Sequence, residues 1–269
     1  MTLAERLPSR RAGVLARNGF ARLRDLDDAG YGEVVAALEL FQAEFLAETR
    51  ELWGAGFPIP GDALAHFTRQ WEFPYAWTNL DAPPARVLDA GSGMTSFPFL
   101  LSASGFDVEC TDGDGSLGLE GRFEAASART GLPVRFTASD LTRLPYADAS
   151  FDAVVCISVL EHTGPARLEV VAELGRVIRA GGRLVLTFDV DLGRDDGLLL
   201  EDAAVLLAAL SQPFEPAFPL DLRRPPDLLT SDAFLGPGSW RLPPPWRGPS
   251  AEFRSIAVLA TTWVRHEDR

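Results

Sequence analysis

Short apolar runs and helix-period segments alternate through the middle of this chain. Arg86-Val87-Leu88 reads as a strand ending in Asp89, and the glycine-rich turn Ala90-Gly91-Ser92-Gly93 follows it. A helix is expected over about Thr95 to Ser104, with Pro98 in its first turn and Gly105 at its end. Phe106 to Thr111 is the next apolar run and stops at Asp112, and Val134 to Thr137 gives a third strand. Ala153 to Ser158 is apolar almost throughout, the pattern of a parallel strand buried on both faces. Leu168 to Arg179 sets Leu168, Val171, Leu174 and Ile178 at helical spacing. Ala180-Gly181-Gly182 ends that helix, and Arg183 to Phe188 is the following strand. Strands alternating with helices predict an α/β architecture around a parallel sheet.

The flanks break this rhythm. Glu33 to Trp53 places Val34, Ala37, Leu38, Phe41, Phe45 and Leu52 near one helical face. Gly54 to Gly61 interrupts it, and a shorter helix is expected from Asp62 to Trp71. Trp71, Phe73, Tyr75 and Trp77 then crowd into one short stretch before the Asp81-Ala82-Pro83-Pro84 link. Residues 1–80 are accordingly expected to form a helical N-terminal cap on a main domain of residues 81–269. Beyond an expected helix at Leu198 to Leu210, residues 211–250 are rich in proline, which fixes φ and lacks an N–H. They are expected to form an irregular insertion packed through Phe214, Phe218, Phe234 and Trp240, with Ser255 to Val264 returning as the last strand.

A hydrophobic content of 46% supplies a core, and the net charge of −13 opposes affinity for phosphate backbones, so no nucleic-acid partner is expected. All 25 basic residues are arginine, which rules out a lysine nucleophile. No apolar stretch is long enough to span a bilayer, and the first thirty residues lack the apolar core of a signal peptide. A cytoplasmic protein without a membrane partner is the expectation. Cys110 and Cys156 both fall in predicted buried strands and have no metal-like spacing, so neither a disulfide nor a metal site is expected.

The turn after Asp89 carries the chemistry. Strand, glycine turn, helix, strand and acid form the unit that holds a nucleotide, the second acid reaching ribose hydroxyls. Gly91-x-Gly93-x-x-Ser96 lacks the third glycine of a dinucleotide site, and a carboxylate at Asp89 repels a pyrophosphate but favours an amino group. This pattern resembles motif I of the class I S-adenosylmethionine-dependent methyltransferases, of the type 11-like kind. The later strands and turns follow that family's order over about residues 85–190. The resemblance implies a Rossmann-like methyltransferase fold with a mostly parallel seven-stranded sheet, helices on both faces, and S-adenosyl-L-methionine as cofactor.

It also implies roles residue by residue. Asp89 would orient the methionine amino group, and Gly91 and Gly93 would let the backbone approach the cofactor. Asp112 would accept from the ribose hydroxyls, with Asp114 a weaker substitute. Asp140 and the Leu141 backbone N–H would meet the adenine, unless Asp140 only caps its turn. Ser158 would lie beside the methionyl chain. His162, after Glu161, is a candidate proton acceptor or a structural residue. Trp71 and Tyr75, four residues apart, would face the reacting centre, or else pin the cap to the sheet. His66 and His266 receive no role.

The expected reaction is methyl transfer to a small organic acceptor by in-line displacement at the sulfonium methyl. A site of this kind works by alignment and exclusion of water, so no strong acid–base constellation is required. An NAD-dependent oxidoreductase and a non-catalytic cofactor-binding scaffold are the competing readings. Oligomeric state and the identity of the acceptor are not legible in the sequence.

Overall fold

In the computed structural model, residues 13–53, 68–113, 118–192, 198–230 and 256–267 are described. Four parallel neighbours of the central sheet come from the apolar runs: β2 (Arg86–Ala90), β3 (Asp107–Asp112), β4 (Val134–Ala138) and β5 (Phe151–Ile157). β6 (Ile178–Asp191) continues the parallel set beside β5, and β9 (Ile256–Arg265) runs antiparallel to it. The strand order is β4-β3-β2-β5-β6-β9-β1-β8, where β1 is Asn18–Phe20 and β8 is Leu220–Asp221. β7 (Phe214–Pro216) pairs with β9 off this path. The order changes direction between β2 and β5, so the turns leaving these strands flank one crevice, the usual ligand position in such sheets.

Side-chain alternation divides the core between the two faces of the sheet. Val87, Val108, Val155 and Val185 belong to one cluster with α1 (Ala29–Trp53), α2 (Arg69–Asn79), α3 (Phe97–Ala103) and α4 (Leu119–Thr130). Leu88, Val154, Leu184 and Leu186 belong to the other, with α5 (Arg167–Val177) and α6 (Leu200–Leu210). Aromatic contacts bind α1 to the first face. Phe45 lies 4.6 Å from Phe99, and the Trp53 ring meets Phe123 edge-on at 6.2 Å.

Helix α2 departs from the expected Asp62 to Trp71 span, whose first part lies outside the described residues. It continues through Pro74 to Asn79. Proline has no N–H to give the carbonyl four residues back, a loss that normally ends a helix. Here the Tyr31 hydroxyl donates to that carbonyl, on Gln70, at 2.9 Å. A residue of α1 thus supplies what Pro74 lacks.

Three further differences concern the flanks. The segment expected to be a helical cap also contributes β1, which lies between β9 and β8 in the sheet. The sheet has nine strands among the described residues where seven were expected, the additions including the two- and three-residue segments at its far edge. The proline-rich stretch is not wholly irregular, since Phe214–Pro216 and Leu220–Asp221 are strands. Pro216 is accommodated because β7 is short and pairs on one side only with β9. Residues 231–250, with Phe234 and Trp240, lie outside the described residues. Cys110 and Cys156 are free and buried. Among the described residues, no helix is long and apolar enough to cross a membrane.

Candidate functional site

The turn after β2 is fastened on both sides. The Gly91 and Ser92 N–H groups donate to the Thr111 carbonyl at 2.8 and 3.2 Å, and the Gly93 N–H donates to the Asp112 carboxylate at 2.9 Å. Gly91 has φ of +79°, and a Cβ there would come within 2.5 Å of Val159 Cγ2. This glycine is required by the loop after β5, which packs directly upon the turn. Gly93, at φ of +51°, has open space where its side chain would be. One glycine admits a neighbour and the other leaves room.

Asp89 is buried at the end of β2 and accepts no hydrogen bond among the described residues. Burial, reinforced by the Asp112 carboxylate and opposed by Arg69, pushes its carboxyl up to about 7. A buried acid with no donor is suited to a ligand that brings one. Asp112 holds the turn through Gly93, so strand end and glycine turn form one rigid corner.

A second group of residues comes from α2 and the ends of β5 and β6. Glu72 has 0% exposure, and its Oε1 accepts from the Ser158 and Thr187 hydroxyls, each at 2.6 Å. Its other oxygen pairs with Arg69, one helical turn earlier. Burial alone would raise the Glu72 carboxyl, yet Arg69 and the two hydroxyls hold it below the usual carboxylate range. Ser158 takes φ of +51°, a conformation that costs a non-glycine residue about 1–2 kcal/mol. Its N–H donates to the Thr187 carbonyl at 2.9 Å and its hydroxyl to Glu72, so the strain is held from two sides.

Glu161 and Asp189 complete this region. Glu161 Oε1 accepts from the Asp189 N–H at 3.0 Å. Burial pushes Glu161 up to about 7 and raises Asp189 as well, with Glu72 and Glu161 adding to the latter. His162 is exposed at the residue level, while partial desolvation of its ring and the nearby Arg69 charge lower its pKa. Both effects favour the neutral imidazole.

The structure brings together Asp89, Gly91, Gly93, Asp112 and Ser158 of the residues singled out in the sequence. Asp140 lies on the exposed turn after β4, where its Oδ1 accepts from the Thr142 N–H at 2.9 Å and hydroxyl at 2.8 Å. These bonds lower its pKa and give it the turn-capping role weighed above, with Leu141 half-buried beside it. The Ser139 N–H bond to the Asp112 carbonyl, 3.1 Å, joins this turn to the end of β3. Asp114 and His66 lie outside the described residues.

Trp71 and Tyr75, weighed in the sequence as facing the reacting centre or pinning the cap to the sheet, lie inside the core. Both have 0% exposure, and their rings stack on each other at 5.2 Å. The Trp71 indole N–H donates to Asp25 at 2.9 Å, while the Tyr75 hydroxyl reaches the Arg17 carbonyl at 3.0 Å and Thr262 Oγ1 at 2.9 Å. Their polar atoms are consumed in pinning the N-terminal segment and β9. The helix does reach the crevice, but through Arg69 and Glu72. Those two, with Thr187 and Asp189, are the residues sequence reasoning missed. The available signals were an Arg–Glu pair at i,i+3 and two polar positions inside an otherwise apolar strand.

Residues 88–186 match a family model described as a methyltransferase domain. A demethylmenaquinone methyltransferase of Beutenbergia cavernae is 38% identical over 104 residues, covering 39% of this chain and 40% of that protein. The 27-O-demethylrifamycin SV methyltransferase of Amycolatopsis mediterranei is 38% identical over 106 residues, covering 38% of this chain and 37% of that protein. The chain thus spans less than half the length of these curated relatives. Among solved structures, the (4+2)-cyclase SpnF is similar in fold, with a TM-score of 0.50 and 17% identity over 69% of this chain and 76% of that one.

Proposed function

We propose that the methyltransferase domain of residues 88–186 binds S-adenosylmethionine and transfers its methyl group to a small organic acceptor. The observation that carries this reading is the corner formed by Asp89, Gly91, Gly93 and Asp112. Its chemistry suits the cofactor: a buried carboxylate with no donor among the described residues for an amino group, open space over Gly93, and no third glycine for a pyrophosphate. When bound, the cofactor supplies a methyl group already activated by the sulfonium charge.

The chain's own residues then have limited tasks. Asp89 holds the amino end, and Asp112 stiffens the turn and accepts from the ribose. Asp140 and Leu141 border the adenine from the turn after β4. Ser158, locked by Glu72 and Thr187, sets the wall beside the methionyl chain. His162, whose surroundings favour the neutral imidazole, is given the task of accepting a proton where the acceptor must lose one. Trp71 and Tyr75 serve packing.

Calorimetric titration tests this directly. Saturable binding of S-adenosylhomocysteine with no response to NAD is expected. NAD binding without a response to S-adenosylhomocysteine would favour the oxidoreductase. Cofactor binding without turnover on any acceptor would favour a scaffold, and the fold by itself does not choose between them.

A further inference from the structure

Glu161 Oε2 and Asp189 Oδ1 are buried carboxylate oxygens without a hydrogen-bond partner. The other oxygen of Glu161 accepts from the Asp189 backbone N–H, and the Glu161 charge acts on the Asp189 carboxyl. Neighbouring groups do not serve them. Both Glu72 oxygens are occupied by Ser158, Thr187 and Arg69, and Arg69 gives its bond to Glu72 while neither orphan oxygen receives one from it. Arg69 is also the cation that acts on Asp89, Glu161 and Asp189 alike, so four acids share one guanidinium. Acceptors and negative charge are both in surplus.

We propose that the Glu161–Asp189 pair is a subsite for an organic ammonium, the basic nitrogen of the acceptor molecule. This rests on the methyl-transfer reading for the word acceptor, but the ammonium chemistry follows from the pair itself. An ammonium offers three donors and no acceptor, and it carries the charge that the site lacks. A hydroxyl would bring lone pairs into a place that already has too many. A metal ion is a poorer match, because no cluster of three or more ligating side chains exists among the described residues. The location fits as well: Val159, two residues before Glu161, packs against Gly91 of the glycine turn.

The groups facing the pair set its response to pH. Burial and the neighbouring acids Glu72 and, for Asp189, Glu161 favour the protonated forms, while Arg69 opposes them. Asp89 and His162 share the influence of Arg69. An arriving ammonium therefore favours the ionised form of Glu161 and releases a proton below about pH 7, the value to which that carboxyl is raised. Affinity for the amine rises with pH across that range.

Calorimetry with benzylamine and benzyl alcohol decides the matter, using the full chain saturated with S-adenosylhomocysteine at pH 8. The comparison is wild type against the double variant Glu161→Gln/Asp189→Asn. These isosteres retain shape and the bond to the Asp189 N–H while removing buried charge, so folding is maintained. Wild type should bind benzylamine at least tenfold more tightly than benzyl alcohol, and the double variant should lose that preference with unchanged S-adenosylhomocysteine affinity. Equal binding of both probes to wild type, or a preference that survives the substitutions, overturns the subsite. A fall in S-adenosylhomocysteine affinity in the variant also overturns it, because the pair would then hold the cofactor. If wild type binds no S-adenosylhomocysteine, the methyl-transfer reading fails, and the probe titrations without it still judge the ammonium subsite.

Discussion

Glu72 and Ser158, 86 residues apart, are joined by a 2.6 Å hydrogen bond that ties helix α2 to the carboxyl end of β5. The bond fixes a strained serine and places a paired carboxylate in the crevice wall. Removing the acid by Glu72→Ala leaves Arg69 without its partner. The expected loss of stability is about 3 kcal/mol, the low end for a broken buried pair because Arg69 keeps 23% exposure. Urea denaturation measures it, and Glu72→Gln, which keeps an acceptor for the Ser158 and Thr187 hydroxyls, should lose less.

Asp112→Ala should weaken S-adenosylhomocysteine binding by about 1.5–3 kcal/mol, roughly tenfold or more, through lost charge-assisted hydrogen bonds. Asp112→Asn retains an acceptor for the Gly93 N–H, so its loss should be smaller. Equal affinity in all three proteins would remove Asp112 from the ribose role.

Asp89→Asn separates burial from binding. The native carboxyl is raised to about 7 from 3.8, so the folded state binds its proton more tightly than the unfolded state. Stability from this group is present below about pH 4 and is lost as pH rises toward 7. The variant should match wild type near pH 4, gain on it through the interval, and hold a constant advantage above pH 7. Thermal unfolding as a function of pH reads this difference. The same substitution should weaken cofactor binding.

Trp71→Phe removes the indole bond to Asp25 and should cost about 1–3 kcal/mol of stability. Affinity for S-adenosylhomocysteine should stay within twofold of wild type. A selective loss of affinity with unchanged stability would return Trp71 to the site.

His162→Ala tests the proton-accepting role. With an acceptor that turns over, a fall of roughly a hundredfold in kcat is expected, while cofactor affinity is retained. Normal turnover across the pH range would assign His162 to structure.

Local patterns announced the sheet and the glycine corner because each lies within one continuous segment. Asp89, Gly91, Gly93 and Asp112 are spaced by one strand–turn–helix–strand unit, and the Gly93–Asp112 bond closes it. The polar face of α2 is not legible for a different reason. The aromatic pair Trp71 and Tyr75 had the more conspicuous composition, while Arg69 and Glu72 acquire meaning only from Ser158 and Thr187, far along the chain. Proline at position 74 disfavours a continuing helix, and nothing near it in sequence reveals Tyr31. The strands β1, β7 and β8 are two or three residues long, too short to show a period.

The bond from Tyr31 to Gln70 bears on the order in which the chain assembles. Alone, α2 would lack an intrahelical partner for the Gln70 carbonyl in its first turn and, at 11 residues with an internal proline, would be a poor early helix. It gains its missing donor only after α1 has docked alongside. The two helices should therefore acquire and lose amide-exchange protection as one cooperative unit, although 39 residues separate the bonded pair. Because Arg69 and Glu72 ride on α2, the crevice wall is among the features that arrive with that late step.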